Sequence, residues 1–161
     1  MLFRSVHVAL TNVAAGHCVP TDTPLRHLIL LVEATGETGD VLDQVAGPVL
    51  PEWAGVGNPE DGYLAGLPGE TFAKVLESTW FGTAPTAEFW NPTRVARDNR
   101  LRPFETKRLE FVFIASGVRS ATVRVSLIYR RAFRWLEDIK GWGHADVVLG
   151  RHVLIVPDRW F

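Results

Sequence analysis

Apolar and polar side chains alternate with a period of two residues along several segments of this chain, and turn residues such as Gly, Pro and Asp bound each segment. Two residues is the side-chain repeat of a β-strand, so the pattern predicts a fold built mainly from strands. The clearest segment is 121–131, where the alternation predicts one buried and one solvated face. Its predicted inward residues are Val123, Val125, Leu127 and Tyr129, and its predicted outward residues are Thr122, Arg124, Ser126 and Arg130.

Six further segments are predicted as strands. Residues 26–34 hold apolar side chains on both faces, which predicts a central strand that is covered on both sides. Residues 71–78 fit either a strand or a short helix, and we favour the strand. A hairpin turn is predicted at 36–40, before a returning strand. The remaining predicted strands are 4–13, 41–45, 105–114 and 146–156.

The segments between these strands contain one short helix and two long loops. Residues 133–140 are predicted to form one or two helical turns that end at Gly141. Residues 47–69 are rich in Gly and Pro and predict a long ordered loop with Trp53 and Tyr63 on its surface. Loops longer than about 15 residues tend to be functional or to pack on a partner. A second aromatic loop is predicted around Trp80, Phe81, Phe89 and Trp90.

Short strands joined by Gly and Pro turns, with almost no helix, predict an all-β, antiparallel two-sheet sandwich of immunoglobulin-like type with long aromatic loops. The length of 161 residues, the hydrophobic fraction of 47% and the lack of internal repeats predict a single β-sandwich domain over residues 1–161. The net charge of −1 argues against nucleic-acid binding, which needs a basic face.

The first ten residues alternate as a strand does and lack the apolar core of a secretory signal. No run of about 18 apolar residues predicts a membrane span. We therefore expect the chain to begin within a strand, without a visible leader. Such a start is expected of a domain cut from a longer polypeptide or of a truncated reading frame.

The segment 12–22, with the sequence NVAAGHCVPTD, is the most unusual part of the chain. Gly16 allows a tight turn and Pro20 stiffens the exit, so we expect His17 to be held on a rigid loop between the first two strands. A neutral imidazole held in this way suits ligation of a metal or a haem iron, or proton transfer. The alternative is that His17 bonds a backbone carbonyl and only fixes the loop.

Cys18 is the single cysteine of the chain. Covalent haem attachment needs Cys-x-x-Cys-His, so this chain is not expected to attach a c-type haem of its own. Adjacent residues of an extended segment point to opposite sides, so Cys18 is not expected to act as a nucleophile beside His17. A buried, unreactive thiol is the prediction.

Other candidate sites have weaker signals. Asp22, Asp98 and Asn99 could supply oxygen ligands to a calcium ion at one end of the sandwich, or could cap turns through their side chains. A small hydrolase that uses His17 with Asp22 or Asp98 lacks a nucleophile and an oxyanion site. The six tryptophans could stack on sugars or on a porphyrin, or could pack in the core and loops. They are Trp53, Trp80, Trp90, Trp135, Trp142 and Trp160.

Four motifs in order resemble those of the β-sandwich module that lies C-terminal to the haem-bearing region in multihaem c-type cytochromes. Residues 12–22 resemble the N-x-G-A-G-H-x-x-P-T-G segment that opens this module, with Cys18 and Asp22 as departures. FAKVL at 72–76 is similar to the family's F-A-K-V-L segment. Residues 89–105, which include DNRLRPFE, resemble its W-x-x-x-x-(R/K)-(V/I) and D-(N/T)-R-(L/I)-x-P stretch. YRRAF at 129–133, followed by KGW at 140–142 and Asp146, resembles its Y-R-R-(A/K)-F…K-G-W…D tail.

The resemblance implies a non-enzymatic accessory module of an electron-transferring assembly, in periplasmic or extracellular surroundings. The implied partner is a haem-bearing cytochrome domain or subunit, and the implied cofactor is haem c of that partner or of sequence upstream. His17 matches the family's G-H histidine and is the candidate axial ligand of the partner's haem. The expected contact surface is the His17 loop together with the two aromatic loops. The alternative function is a carbohydrate- or ligand-binding sandwich that uses the loop tryptophans.

Overall fold

A computed structural model describes residues 3–143 and 145–157 of the chain. Antiparallel strands form two facing sheets and a separate two-stranded arm, which confirms the predicted all-β sandwich. One sheet has the strand order β1-β7-β3, the second has the order β4-β2-β8-β9, and β5 and β6 form the arm. The strands are β1 (Phe3–Thr11), β2 (His27–Gly36), β3 (Gln44–Ala46), β4 (Gly69–Phe72), β5 (Lys74–Ser78), β6 (Thr93–Asp98), β7 (Thr106–Ile114), β8 (Ala121–Arg130) and β9 (Val147–Val156).

The main core lies between the two sheets. The predicted central strand β2 is buried on both faces, as its sequence indicates. The inward residues predicted for β8 pack into this core, because alternate positions of a strand point to the same side. Its most deeply buried members are Leu28, Leu30, Val32, Ala34, Phe72, Leu101, Phe111, Phe113 and Val123.

The loop 47–69 forms a cover over the other face of β2 and β8. Leu50, Ala54 and Leu64 from this loop are buried against Ile29 and Ile128. Two single-turn helices, Glu52–Ala54 and Pro59–Asp61, order the loop. The predicted long ordered loop is therefore present. It packs on the outer face of the four-stranded sheet and forms a second hydrophobic cluster with it.

This cover corrects the prediction that Ser126 and Arg130 point to solvent. They are 2% and 1% exposed. The alternation along β8 correctly separates its two faces, but a polar face can be buried when a distant segment supplies hydrogen-bond partners. The guanidinium of Arg130 donates hydrogen bonds to the backbone carbonyls of Ala54 and Gly62 in this loop and to the carboxylate of Asp146.

The strand predicted at 41–45 was expected to return alongside the strand before the turn, and this pairing is wrong. After the turn at 36–40, Val41 makes one isolated bridge to Thr35, and the chain then crosses to the other sheet, where β3 pairs with β7. Leu42 enters the core between the sheets at this crossing. A short apolar alternation carries no information about which sheet it joins.

The predicted strand at 71–78 is confirmed, but it is divided at Ala73 into β4 and β5. The first part pairs with β2, and the second pairs with β6 and forms the arm. Sequence reasoning missed β6 because its two apolar residues, Val95 and Ala96, are adjacent and lie on opposite faces, so the strand has no apolar face to give a pattern.

The predicted short helix is confirmed as α1 (Arg134–Lys140). It ends at Gly141, which has a left-handed conformation with φ of +62° and donates its backbone N–H to the carbonyl of Asp138. Glycine adopts this conformation at little cost, so the predicted helix stop has the expected cause. Buried Phe133 and Leu136 anchor the helix against Trp53 and Leu25.

Candidate functional site

The candidate site lies at one end of the sandwich, where the connection between β1 and β2 runs. In the sheet registers, Thr11 at the end of β1 faces Thr106, and His27 at the start of β2 faces Arg130. The connections that follow or precede these residues therefore meet at the same end. Their described residues are 12–26, 99–105, 131–143 and 145–146.

Asn12 fixes the first part of the β1–β2 connection. Its side chain is 6% exposed, and its Nδ2 donates to the carbonyls of His17 at 3.0 Å and Arg102 at 3.1 Å. Its Oδ1 accepts the backbone N–H of Ala15 at 3.1 Å. A buried amide with this many partners holds the loop rigidly, because a change of loop conformation would leave polar atoms unpaired.

Asn12 holds the loop by hydrogen bonds, and Gly16, which was predicted to shape it, does not. A Cβ at Gly16 would meet nothing within 4 Å, and its φ is not positive. The left-handed residue is Asp22, with φ of +78°. Aspartate tolerates this conformation better than most residues, and its carboxylate pairs with Arg26 at 2.7 Å.

His17 is exposed at the surface of this loop. Its Nδ1 lies 3.0 Å from the carbonyl oxygen of Cys18. A carbonyl oxygen only accepts, so Nδ1 carries the proton of this bond, and in the neutral ring Nε2 has the free electron pair. Nε2 has no hydrogen-bond partner within 3–143 and 145–157. The ring is thus both fixed to the backbone and open at the nitrogen that ligates metals. Cys18 is half-buried rather than buried.

The candidate calcium ligands have separate partners. Asp98 forms a two-bond ion pair with Arg100, and this bond lowers the pKa of the Asp98 carboxyl. Asn99 bonds the backbone of Thr71 and Ala73 with its side chain. Within the described ranges, no group of three or more His, Cys, Asp or Glu side chains lies close enough to hold a metal ion. These side chains fix loop and strand ends in the structure.

The second aromatic loop, between β5 and β6, exposes its four large side chains as predicted. Trp80 and Trp90 are each 66% exposed, and Phe81 and Phe89 are 67% and 90% exposed. They form two edge-to-face pairs, with ring centroids 6.5 Å apart for Trp80–Phe81 and 5.0 Å apart for Phe89–Trp90. The arm therefore presents a compact aromatic surface to solvent.

The prediction that Trp53 and Tyr63 are surface aromatics holds only in part, because both rings are half-buried. Trp53 is half-buried, with its ring 5.1 Å from that of His27 and 5.4 Å from that of Phe133. Tyr63 is half-buried beneath the guanidinium of Arg134, which lies 4.5 Å from the centre of its ring. The residues that cover these rings are distant in the sequence. The composition of the Gly- and Pro-rich loop therefore does not predict the burial of the rings.

The two aromatic loops meet at a groove of about 710 Å³, which α1 closes on a third side. Trp53 and Tyr63 come from the first loop, Pro85 and Glu88 from the second, and Trp135 from the helix. His17 does not line this groove. The structure thus brings the two predicted aromatic loops together and places the candidate ligand His17 elsewhere on the β1–β2 connection. Trp160 and His144 lie outside the described residues.

Sequence reasoning did not single out His27, which is fully buried at the start of β2. Its Nδ1 bonds the carbonyl of Leu25 at 3.0 Å, and its ring stacks on that of Phe133 with centroids 5.5 Å apart. Burial lowers the pKa of His27 to about 4, because a charged imidazole would lose its hydration there. His27 lies shortly after the 12–22 motif, and this position is the signal that could have found it.

The Y-R-R…D motif contains an ion pair in which the arginine is fully buried. The Arg130 side chain is fully buried and forms two bonds with Asp146, at 2.8 and 2.6 Å. The same guanidinium donates to the carbonyls of Ala54 and Gly62, both at 2.7 Å. One side chain thereby joins β8, the 47–69 loop and the segment before β9, so these motif residues stabilise the fold.

Comparison with known proteins shows the fold. No family model matches the chain, and no curated protein matches it. The structure is similar to a solved one, described as the crystal structure of a penta-heme cytochrome c552 from Thermochromatium tepidum. The TM-score is 0.65 at 24% sequence identity, and the match covers 94% of this chain. The chain spans 36% of the length of that protein.

No helix in the described ranges is long and apolar enough to cross a membrane.

Proposed function

We propose that this chain is a non-enzymatic accessory module of an electron-transferring multihaem cytochrome assembly and docks on the haem-bearing domain of that assembly. The observation that carries the proposal is the fold match, which takes in 94% of this chain and 36% of a penta-heme cytochrome. A fold alone does not determine a function, so the proposal also rests on the sequence motifs that resemble the module of multihaem c-type cytochromes. Its place would be the periplasm or the cell exterior.

The haem in this proposal belongs to the partner. The chain has one cysteine and no Cys-x-x-Cys-His motif, so it has no means of attaching a c-type haem by itself. What it offers is an imidazole. His17 is exposed on a loop that Asn12 holds, with Nδ1–H donated to a carbonyl and Nε2 open. A hydrogen bond from Nδ1–H to a backbone carbonyl orients a ligating histidine and raises the basicity of its other nitrogen.

These residues fit a haem iron as the group that His17 would hold. An axial histidine sets the spin state and the reduction potential of a haem. In the proposed assembly, His17 binds the iron of a neighbouring haem through Nε2, or else its loop packs against that haem. The exposed aromatic side chains of the β5–β6 arm would add apolar contact area to the docked surface.

Docking is tested with purified multihaem c-type cytochromes from the source organism. The full chain is mixed with each of them at high micromolar concentration and separated by size exclusion, with absorbance followed at 280 nm and in the haem Soret band. We expect the chain to elute with one of these cytochromes and not with a single-haem cytochrome c. Separate elution from all of them would contradict the proposed docking.

Ligation by His17 is tested separately, with a ferric haem c peptide that has one histidine ligand and an open sixth position. We expect the wild-type chain to convert the iron from high spin to low spin, as visible absorption and electron paramagnetic resonance report. His17→Ala should abolish the conversion. His7→Ala is the matched control, because His7 is also an exposed histidine, with a side chain 72% exposed on β1. Equal losses in both variants would remove the special role of His17.

The second candidate function is carbohydrate or small-ligand binding, and the observation that favours it is the groove of about 710 Å³ beside Trp53 and Trp135. Indole rings provide flat apolar surfaces on which sugar rings stack. Titration of tryptophan fluorescence with a panel of glycans separates the two functions. A saturable change would support the carbohydrate function, and its absence together with cytochrome docking would leave the accessory-module function.

A further inference from the structure

The groove between the two aromatic loops is lined by charged side chains of one sign. They are Glu52 of the first loop, Glu88 of the second loop and Asp138 of α1. Among the described residues that line the groove, none is Lys, Arg or His. A cleft with walls of one sign concentrates the electric field and attracts ligands of the opposite charge. The groove therefore favours a cation.

Three aromatic side chains line the same groove, and they are Trp53, Tyr63 and Trp135. The buried ring of Phe133 holds both indoles in place. It lies at 76° to the ring of Trp53 and at 13° to the ring of Trp135, with centroids 5.4 and 6.4 Å away. The two indole planes are therefore steeply inclined to each other and form two walls of a corner. Aromatic rings arranged around one space are typical of sites for quaternary ammonium groups.

The chain itself places one cation beside a ring of this groove. The guanidinium of Arg134 lies 4.5 Å from the centre of the Tyr63 ring, although Arg134 does not line the groove. Its Nη1 lies 3.4 Å from the buried carboxylate of Glu137, and its Nε lies 3.8 Å from that of Asp138. The positive charge of Arg134 thus has carboxylate partners in α1, and Asp138 is the groove carboxylate that it partly compensates.

Glu52 and Glu88 have no ion-pair partner in the part of the chain that the structure describes. Glu88 accepts a hydrogen bond from the neutral amide of Asn91 at 2.7 Å, and the Glu52 side chain has no partner there at all. The groove carboxylates do not form a metal site, since no metal-holding group occurs in 3–143 and 145–157. The volume of about 710 Å³ is typical of small-molecule sites. These features fit an organic cation better than a metal ion.

We propose that this groove binds a small quaternary ammonium compound, with the cation against Trp53 and Trp135 and its charge opposite Glu52 and Glu88. A primary ammonium has three N–H donors that all need acceptors. A quaternary ammonium has none, so rings and negative charge are enough to hold it. The proposal deepens the small-ligand function considered above by naming the ligand class, and it is independent of cytochrome docking.

The test is the binding of choline to the purified full chain, followed by titration calorimetry and by tryptophan fluorescence. Neohexyl alcohol is the matched ligand, because a carbon atom replaces the nitrogen of choline and removes only the charge. We expect saturable binding of choline that weakens as sodium chloride is added, and no binding of the alcohol. No binding of choline at millimolar concentrations would overturn the proposal, as would equal binding of the two compounds.

Two pairs of variants locate the site. Trp135→Ala should weaken choline binding about tenfold. Trp142→Ala should leave it unchanged, because Trp142 has a similar exposure, 42% against 38%, and does not line the groove. Glu52→Gln should weaken binding several-fold, whereas Glu60→Gln in the same loop, outside the groove, should not. Equal losses within either pair would contradict the site.

The outcomes separate this proposal from the functions considered above. Saturable binding of a glycan that choline does not displace, without choline binding, would overturn the proposal and leave the carbohydrate function standing. Choline binding that follows the two pairs of variants supports the proposal, whether or not the chain elutes with a multihaem cytochrome.

Discussion

At the scale of single residues, His27 shows how a polar side chain can support a core. Its imidazole is enclosed by Trp53 and Phe133 and bonds the carbonyl of Leu25 through Nδ1. Nε2 is buried without a hydrogen-bond partner in the described part of the chain. A proton on Nε2 would thus place an uncompensated charge in an apolar site, which explains the low pKa of His27.

We predict that His27 makes the protein sensitive to mild acid. The pKa of His27 is about 4 in the folded state against an ordinary histidine value of 6.5, so the unfolded state binds the proton first as the pH falls. The free energy of unfolding should therefore fall as the pH drops from about 6.5 to about 4, by about 3 kcal/mol in total. Urea unfolding at a series of pH values measures this loss.

The variant His27→Phe, which fills a similar space and cannot be protonated, should remove most of this slope. His7→Ala serves as the control, because it removes an exposed histidine on β1 and leaves His27 in place. If His27→Phe keeps the slope of the wild type, the pH dependence arises from other groups.

At the scale of secondary-structure elements, the alternation of side chains predicted where strands lie and which face of each is apolar. It predicted β2, β7, β8 and β9 closely because each has a continuous apolar face. It missed β6, which has one apolar residue on each face and so no apolar stripe. Pairing partners also escaped prediction, because register depends on contacts between segments distant in the chain.

The pairing of β4 with β2 depends on a single glycine. Gly69 faces Leu31 in the ladder, and a Cβ there would lie 2.4 Å from the carbonyl oxygen of Leu30 and 2.9 Å from Cγ of Leu50. We predict that Gly69→Ala lowers the free energy of unfolding by about 2 kcal/mol, because backbone must move to admit the methyl group. Chemical denaturation measures the change.

Gly143→Ala is the control for this substitution, since a Cβ there meets nothing within 4 Å. It should change the free energy of unfolding by less than about 0.5 kcal/mol. Equal effects of the two substitutions would show that the close approach at Gly69 does not limit the β2–β4 pairing.

At the scale of the whole molecule, the 47–69 loop acts as a third layer over the four-stranded sheet. It buries Leu50, Ala54 and Leu64, and its carbonyls at Ala54 and Gly62 receive the buried guanidinium of Arg130. The loop is therefore part of the stable fold, although its Gly and Pro content is typical of a mobile connection.

We predict that Leu50→Ala lowers the free energy of unfolding by about 2–5 kcal/mol, because it leaves a cavity beneath the loop. Leu50 is 2% exposed, whereas Val56 of the same loop is 75% exposed. Val56→Ala should therefore change the free energy of unfolding by less than about 0.5 kcal/mol. Denaturant unfolding of the two variants measures the contrast, and similar values would mean that the loop packs loosely.

The sequence alone determined the all-β class and most of the strand positions, because these follow from side-chain periodicity and from local turn residues. Tertiary structure decided that Arg130 and Ser126 are buried, that the strand after the 36–40 turn joins the other sheet, and that the two aromatic loops meet at one groove. These outcomes depend on hydrogen bonds and packing between segments far apart in the chain. Local patterns of polarity do not indicate which distant segments will pack together.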